Sequence, residues 1–144
     1  MAARGPSVPA VELTEAELVA WGERFGREVA MPSFVTLSGD LGAGKTTLVR
    51  AIARAQGNLE PVTSMSYGLV REYLSPRGPV VHIDLYRLQG PDELPQLGWE
   101  DYLRMKGLVM VEWPERAAGM LPLTLTALRL EHVEGKPELR RLSW

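Results

Sequence analysis

The chain has 144 residues, of which 45% are hydrophobic and 24% are charged, and its formal net charge is −2. This length and composition are typical of one globular domain, so we expect a single domain over residues 1–144. The absence of cysteine excludes disulfides, cysteine-ligated zinc and thiol catalysis, and two histidines are too few for a histidine-rich metal site. The slightly acidic balance argues against a large nonspecific nucleic-acid clamp.

The amino-terminal stretch Met1–Leu13 lacks the continuous apolar run of a signal peptide. No apolar stretch approaches the roughly 20 residues that cross a bilayer. We therefore expect a soluble, cytoplasmic protein without a membrane partner.

Helices and strands alternate in the first half. Thr14 and Glu17 form a capping-box pattern that predicts a helix start. Apolar residues at helical spacing then predict a core-facing stripe, consisting of Leu18, Trp21, Phe25 and Val29. Met31-Pro32 breaks this helix, Phe34–Leu37 is a predicted buried strand, and a second helix is predicted over residues 45–56, where Gly57 can cap it.

The second half contains more strands. The predicted elements are, in order, an irregular strand over Val62–Tyr73, a turn at Ser75–Gly78, a strand at Val80–Asp84, a broken helix over Pro91–Lys106 interrupted near Pro95 and Gly98, a strand at Leu108–Val111, a short helix opened by Pro114, and a hairpin of Leu123–Glu131 and Leu139–Trp144. This order predicts an α/β fold with a mixed sheet, helices packed on its faces and a C-terminal β-hairpin.

Residues 39–46 read Gly-Asp-Leu-Gly-Ala-Gly-Lys-Thr and match G-x-x-x-x-G-K-[ST] at every fixed position. A predicted strand precedes the motif and a predicted helix follows it. The glycines let successive backbone amides point at one anion, and the helix N-terminus adds partial positive charge. The motif predicts a nucleoside triphosphate with Mg²⁺: Lys45 would reach the β- and γ-phosphates, Thr46 would ligate the metal, and Thr47 would bond the α-phosphate.

Enzymes with this motif need a further acidic group for the metal or the attacking water. Two predicted strands end in acids, Asp84 and Glu112. The structural alternative is that each acid pairs with a nearby arginine such as Arg87 or Arg116. The presence of two such strand ends in one domain favours the functional interpretation.

Two neighbours of these acids have both a structural and a functional interpretation. His82 shares a sheet face with Asp84, and a packed or hydrogen-bonded core histidine is favoured over a catalytic one. Trp113 follows Glu112; it either stacks on a base or a partner protein, or packs at the edge of the sheet.

Five strings occur in the order SGDLGAGKTTLVR, TSMSYGLVREY, HIDLYRL, LGWEDYL and VEWPER. Together they closely resemble the bacterial TsaE (YjeE) family, small P-loop ATPases of tRNA threonylcarbamoyladenosine biosynthesis. The resemblance covers about Leu13 to Pro122.

This resemblance implies a compact P-loop NTPase-like fold around a mixed sheet, and slow hydrolysis of ATP with Mg²⁺. It also implies two partner proteins, TsaB and TsaD. In that family TsaD transfers a threonylcarbamoyl group to the adenosine beside the anticodon of certain tRNAs. ATP hydrolysis by the TsaE-like subunit resets the complex, so the resemblance implies that tRNA is reached indirectly through the partners.

The resemblance also implies site roles. It implies catalytic roles for Lys45, Asp84 and Glu112, and Mg²⁺ ligation by Thr46 and Glu112. The implied nucleotide contacts are Glu15, Gly42, Ala43, Gly44, Lys45, Thr46, Thr47, Glu112 and Lys136. The sequence departs from the family in one segment, since Ser64-Met65-Ser66-Tyr67 stands where S-P-T-F is usual, and the rigid φ of proline is absent there.

Two other functions share the motif. A small-molecule kinase needs an acceptor pocket and a mobile, arginine-rich lid. The segment Gln89–Lys106 is short, acidic and poor in paired arginines, which disfavours this alternative. A nucleotide-binding regulatory module without turnover is disfavoured by the two strand-end acids.

Overall fold

The computed structural model describes residues 8–62 and 69–144, within which an eight-stranded mixed sheet is flanked by helices. The strands are β1 (Ala10–Leu13), β2 (Ser33–Ser38), β3 (Glu60–Val62), β4 (Val70–Ser75), β5 (Gly78–Asp84), β6 (Leu108–Glu112), β7 (Thr126–His132) and β8 (Arg140–Ser143). The α-helices are α1 (Glu15–Glu28), α2 (Lys45–Arg54) and α3 (Trp99–Leu103), and 3₁₀ helices cover Pro91–Leu97 and Pro114–Ala117.

The sheet order is β1-β8-β7-β2-β6-β5-β4-β3. Its centre is parallel, because β6 runs parallel to both β2 and β5, and β2 runs parallel to β7. The outer pairs are antiparallel, including the β7–β8 hairpin. The predicted α/β fold with a mixed sheet and a C-terminal hairpin is therefore confirmed.

Parallel pairing at the centre brings three strand ends to one edge. Glu112 pairs in register with Leu37 on one side and with Asp84 on the other. The loop between β2 and α2 leaves the sheet at the same edge, because Ser38 ends β2 directly after Leu37. The two predicted strand-end acids and the glycine-rich loop thus meet although Gly39 and Glu112 are 73 positions apart along the chain.

Helix α1 begins with the predicted capping box. The Glu17 amide donates to Thr14 Oγ1 over 3.2 Å, and the Thr14 amide donates to Glu17 Oε1 over 2.9 Å. These two bonds satisfy amides that the first turn of a helix leaves without partners.

The predicted apolar stripe of α1 is only partly correct. The buried residues are Leu18, Gly22 and Gly26, whereas Trp21, Phe25 and Val29 are half-buried. A Cβ on Gly26 would lie 2.5 Å from the Ile52 carbonyl oxygen of α2. The two helices approach so closely that glycines form the contact, and the aromatic side chains are displaced to the edge of the core.

Core side chains lie on both faces of the sheet. One cluster fills the space between the sheet and helices α1 and α2, and includes Leu18, Leu37 and Ile52. The other lies on the opposite face and includes Trp99 and Val111. Alternation along the strands produces this division, so Leu108, Met110 and Glu112 of β6 share the face that carries α2.

Most other element predictions are confirmed within short boundary shifts. The broken helix is divided at Gly98, whose φ of +79° separates the first 3₁₀ helix from α3. Pro114 opens the second 3₁₀ helix. The strand predicted over Val62–Tyr73 is represented by the end of β3 and by β4, and the intervening segment 63–68, which includes Ser64-Met65-Ser66-Tyr67, lies outside the described residues. Among the described residues, no helix has the length and apolarity needed to cross a membrane.

Candidate functional site

The glycine-rich loop connects β2 to α2 and depends on backbone conformations that favour glycine. Gly39, Gly42 and Gly44 have φ values of +140°, +76° and +102°. A Cβ on Gly39 would also lie 2.2 Å from the Leu130 carbonyl oxygen, because the loop packs directly on β7. Ala43 is buried, and its amide donates to the Asp40 carbonyl over 3.1 Å, which closes the turn. At Gly42 and Gly44 the backbone of the loop is therefore not covered by a side chain of the same residue.

Lys45 begins α2 and is 5% exposed. Its ammonium group donates to the carbonyl oxygens of Gly39 and Asp40, the latter over 2.9 Å. The Nζ atom also lies 4.3 Å from the ring centroid of Trp113. The partners of the buried Lys45 ammonium are therefore two carbonyl groups and an aromatic ring, none of which carries a net charge.

Glu112 ends β6 and is 2% exposed. Thr46 Oγ1 lies 3.2 and 3.3 Å from its two carboxylate oxygens. His82 Nε2 lies 2.5 Å from Oε2 of the same carboxylate. Arg116 instead donates to the Leu88 carbonyl, so the alternative of an arginine pair for Glu112 is not found in the described part of the chain.

Asp84 ends β5 and is half-buried beside Glu112. One of its carboxylate oxygens accepts a hydrogen bond from the Tyr86 amide over 3.0 Å. No arginine or lysine pairs with Asp84 within residues 8–62 and 69–144. The carboxylate therefore keeps further acceptor positions.

These groups line one opening of about 320 Å³, which we call the front cavity. Its walls are Leu41, Gly42, Gly44, Lys45, Thr46, Thr47, Asp84, Tyr86, Glu112 and Trp113. Seven of these are predicted site residues. Sequence reasoning missed Leu41 and Tyr86, whereas it left Trp113 between stacking and packing. Trp113 here packs against Lys45, and its ring centroid lies 5.1 Å from that of Tyr86. Its φ of +60° is uncommon for a non-glycine residue.

A second opening of about 210 Å³, the hairpin cavity, shares Gly42, Gly44 and Thr47 with the front cavity. Its remaining walls are Glu15, Leu18, Pro137, Glu138 and Arg140. Glu15 thus lies at the start of α1 and lines the same cavity as the loop, and its contact with a nucleotide stays a prediction.

Lys136 lies near this cavity without lining it. It is exposed in the turn between β7 and β8, where its amide donates to the Val133 carbonyl over 3.1 Å. Among the walls of this cavity, the cation that faces the loop is Arg140, whose Nη2 lies 3.4 Å from the Gly42 carbonyl oxygen. Local sequence does not separate Arg140 from Arg141, since only the strand register determines which of the two faces the cavity.

The chemistry of the site fits Mg²⁺ and phosphate. Thr46 and Glu112 place a hydroxyl and a carboxylate together, and oxygen donors of this kind are the ligands Mg²⁺ takes when phosphate oxygens and water complete its shell. The ammonium of Lys45 and the open backbone at Gly42 and Gly44 fit an anion at the start of α2.

A parallel-centred mixed sheet with this loop between a central strand and a helix defines an α/β protein of the P-loop fold class. The family model for "Threonylcarbamoyl adenosine biosynthesis protein TsaE" matches residues 13–142. The chain therefore belongs to the TsaE family.

Individual relatives agree with this assignment. A tRNA threonylcarbamoyladenosine biosynthesis protein TsaE from Haemophilus influenzae is 44% identical over 61% of this chain and 56% of its own length. The alignment therefore spans little more than half of that relative. The protein of the same name from Rickettsia bellii is 32% identical over 88% of each chain. The crystal structure of Bacillus subtilis YdiB superposes with a TM-score of 0.69 at 26% identity, covering 96% of this chain and 86% of that one.

Proposed function

We propose that this protein is a Mg²⁺-dependent subunit that binds ATP and hydrolyses it slowly during formation of threonylcarbamoyladenosine in tRNA. It would act with TsaB and TsaD and reach tRNA through them. One observation carries the nucleotide part of the proposal: Lys45, Thr46 and Glu112 converge on the front cavity beside the glycine-rich loop. The pathway is supported by family membership and by the names of the relatives.

Each polar group has a physical role in this proposal. The backbone amides of the loop bind phosphate oxygens, and Lys45 exchanges its carbonyl partners for the β- and γ-phosphates. Thr46 and Glu112 would hold the metal, which would supply positive charge against the phosphates. Because Lys45 and Glu112 are almost fully buried, their charges act with little screening by water.

Asp84 is assigned to the attacking water. Its carboxylate lines the front cavity, is half-buried and has only the Tyr86 amide as a hydrogen-bond partner among the described residues. A carboxylate with spare acceptor positions can orient a water molecule and take up its proton as it attacks the γ-phosphorus. We propose ADP and inorganic phosphate as the products.

The nucleotide base and sugar are assigned to the hairpin cavity. It adjoins the front cavity at Gly42, Gly44 and Thr47, so a nucleotide with its phosphates at the loop extends toward Glu15 and Arg140. Glu15 is exposed and Arg140 is half-buried, so the base and sugar would be only partly enclosed by this chain.

Hydrolysis is tested by measuring phosphate release from ATP with Mg²⁺ or with EDTA, in the presence and absence of TsaB and TsaD. We expect slow release that requires Mg²⁺ and accelerates with both partners. Rapid transfer of phosphate to a metabolite without partners would instead support the small-molecule kinase.

The partner proposal is tested by co-elution of the protein with TsaB and TsaD. We expect co-elution that depends on ATP. Failure of the three proteins to associate with or without ATP would contradict the partner assignment. It would not contradict the proposed nucleotide site.

A further inference from the structure

Glu112 is an unusual carboxylate because it is 2% exposed and has no lysine or arginine partner within the described residues. A buried carboxylate without compensating hydrogen bonds is strongly destabilising. Its hydrogen-bond partners in the described structure are the Thr46 hydroxyl and the His82 ring. One of these partners, Thr46, is also a proposed metal ligand, which leaves His82 as the partner with no other assigned task.

The sheet explains how His82 reaches this carboxylate. His82 lies on β5 and pairs in register with Met110 of β6, two residues before Glu112. Residues two apart on a strand share a face, so the His82 ring and the Glu112 carboxylate both lie on the face that carries α2. Nε2 of His82 and Oε2 of Glu112 are then 2.5 Å apart. We assign Nε2 as the donor, because a carboxylate oxygen is an acceptor.

His82 is not simply a core side chain. Its side chain is 16% exposed, and it lines a cavity of about 190 Å³ on the far side of Thr46, together with Tyr73. The ring therefore stands between this rear cavity and Glu112. Part of the ring faces this cavity, so the hydrogen bond to Glu112 contributes to the orientation of the ring.

We propose that His82 is a positioning residue that holds the Glu112 carboxylate beside Thr46, so that the two oxygen donors are arranged for Mg²⁺ before it binds. This inference rests on the proposed nucleotide function. Hydrogen-bond partners of metal ligands typically change metal affinity by about 10–100-fold when removed, because they fix the orientation of the ligand. His82 touches neither the nucleotide loop nor Lys45 in the described contacts, so its loss is expected to affect the metal and not the phosphates.

The test measures binding of the ATP analogue AMP-PNP by calorimetry, once with Mg²⁺ and once with EDTA. The ratio of the two Kd values is the gain in affinity due to Mg²⁺. We expect His82→Leu to lower this gain about tenfold while the Kd in EDTA stays unchanged. His82→Gln, whose amide can donate from nearly the position of Nε2, is expected to retain most of the gain. Tyr73→Phe alters the same rear cavity without touching Glu112 and serves as the control.

Three results would overturn the positioning role: an unchanged gain in His82→Leu, an equal loss in His82→Leu and His82→Gln, or a loss of affinity in EDTA that matches the loss in Mg²⁺. Thermal unfolding shows whether each variant folds. Should His82→Leu fail to fold, His82→Gln is compared with His82→Asn, whose shorter amide does not reach Glu112. A larger gain from Mg²⁺ in His82→Gln than in His82→Asn supports the positioning role, and equal gains in the two variants overturn it.

A wild-type protein that binds AMP-PNP without any gain from Mg²⁺ would overturn the proposed function itself.

Discussion

The front cavity and the hairpin cavity share the glycine-rich loop but are built differently. Two charged groups of the front cavity are almost fully buried, Lys45 at 5% and Glu112 at 2% exposure, and the third, Asp84, is half-buried. Those of the hairpin cavity, such as Glu15 and Glu138, are exposed. Parallel strand ends and a helix N-terminus hold the front groups, whereas the first turn of α1 and a two-stranded hairpin carry the others.

Because of this difference, charged groups in the two cavities should contribute different amounts of free energy. Charges in a buried site interact strongly because water does not screen them, while exposed charged contacts contribute about 0–1 kcal/mol. We therefore expect substitutions in the front cavity to remove turnover and metal dependence, and substitutions around the hairpin cavity to adjust affinity or stability.

The largest effect is expected for Lys45→Ala. Loss of the buried ammonium at the loop should lower ATP hydrolysis by about 100-fold or more, the usual cost of removing a group that stabilises charge in the transition state. Phosphate release in the presence of TsaB and TsaD measures this effect. Lys106→Ala, which removes an exposed lysine at the opposite end of β6, is the control. Unchanged turnover in Lys45→Ala would eliminate the front cavity as the site.

Glu112→Gln should have the next largest effect. The amide keeps the shape of the side chain but removes the charge that favours Mg²⁺, so Mg²⁺-dependent turnover should fall by about 100-fold. Binding of AMP-PNP in EDTA should change little. Glu115→Gln, in the adjacent 3₁₀ helix and exposed, provides a matched control. An equal loss of binding without Mg²⁺ would assign Glu112 a structural role.

Gly26→Ala tests the close contact between α1 and α2. The added methyl group would meet the Ile52 carbonyl and the Ala55 side chain, so α1 must move away from α2. Overpacking of this kind costs about 2 kcal/mol, which urea unfolding measures. Arg24→Ala, on the exposed face of α1, should cost about 0.5 kcal/mol or less. Equal stability of Gly26→Ala and wild type would mean that the α1–α2 contact tolerates a wider spacing.

Arg140→Ala should have a modest effect on affinity. Arg140 faces Gly42 at the hairpin cavity, and loss of a partly exposed cation should raise the Kd for AMP-PNP about fivefold. The gain in affinity due to Mg²⁺ should not change. Arg141→Ala removes the neighbouring exposed cation and should leave the Kd unaltered. A turnover defect as large as that of Lys45→Ala would remove the distinction between the two cavities.

Thr14→Ala should have the smallest effect, about 1 kcal/mol of stability, because it removes the cap of α1.

Hydrogen bonds from the backbone and side chain of Thr14 lower the pKa of Glu17 below its ordinary value of 4.5. A pKa that is lower in the folded state gives stability that is present above the unfolded value and lost as pH falls through the folded value. Unfolding by urea at neutral and acidic pH should therefore show a weaker acid dependence in Thr14→Ala than in wild type. Identical acid dependence would contradict the capping-box account, and Thr124→Ala in an exposed loop is the control.

Some features of the fold follow from short stretches of sequence. The capping box of α1 needs only Thr14 and Glu17, and the two residues form both bonds as predicted. The division of the broken helix at Gly98 is likewise local, since glycine readily adopts a positive φ. In contrast, the burial of Trp21 and Phe25 depends on how closely α2 approaches, and helical spacing does not determine this.

The candidate site divides in the same way. The loop motif marks Lys45 and Thr46, and the ends of two apolar strands mark Asp84 and Glu112. Their roles in binding and catalysis stay predictions. The contact of His82 with Glu112 was missed because it joins β5 to β6, and spacing within one strand indicates only that His82 and Asp84 share a face.

By itself, the sequence determined the elements formed by stretches that adjoin along the chain: the capped start of α1, the glycine-rich loop and the terminal hairpin. It also identified the residues that resemble a known family. Only the tertiary structure decided which side chains meet, because the order β2-β6-β5 at the centre of the sheet brings Thr46, His82 and Glu112 into contact. Contacts between strands that are distant along the chain depend on sheet order and register. Neither of these can be predicted from the periodicity of a short stretch of sequence.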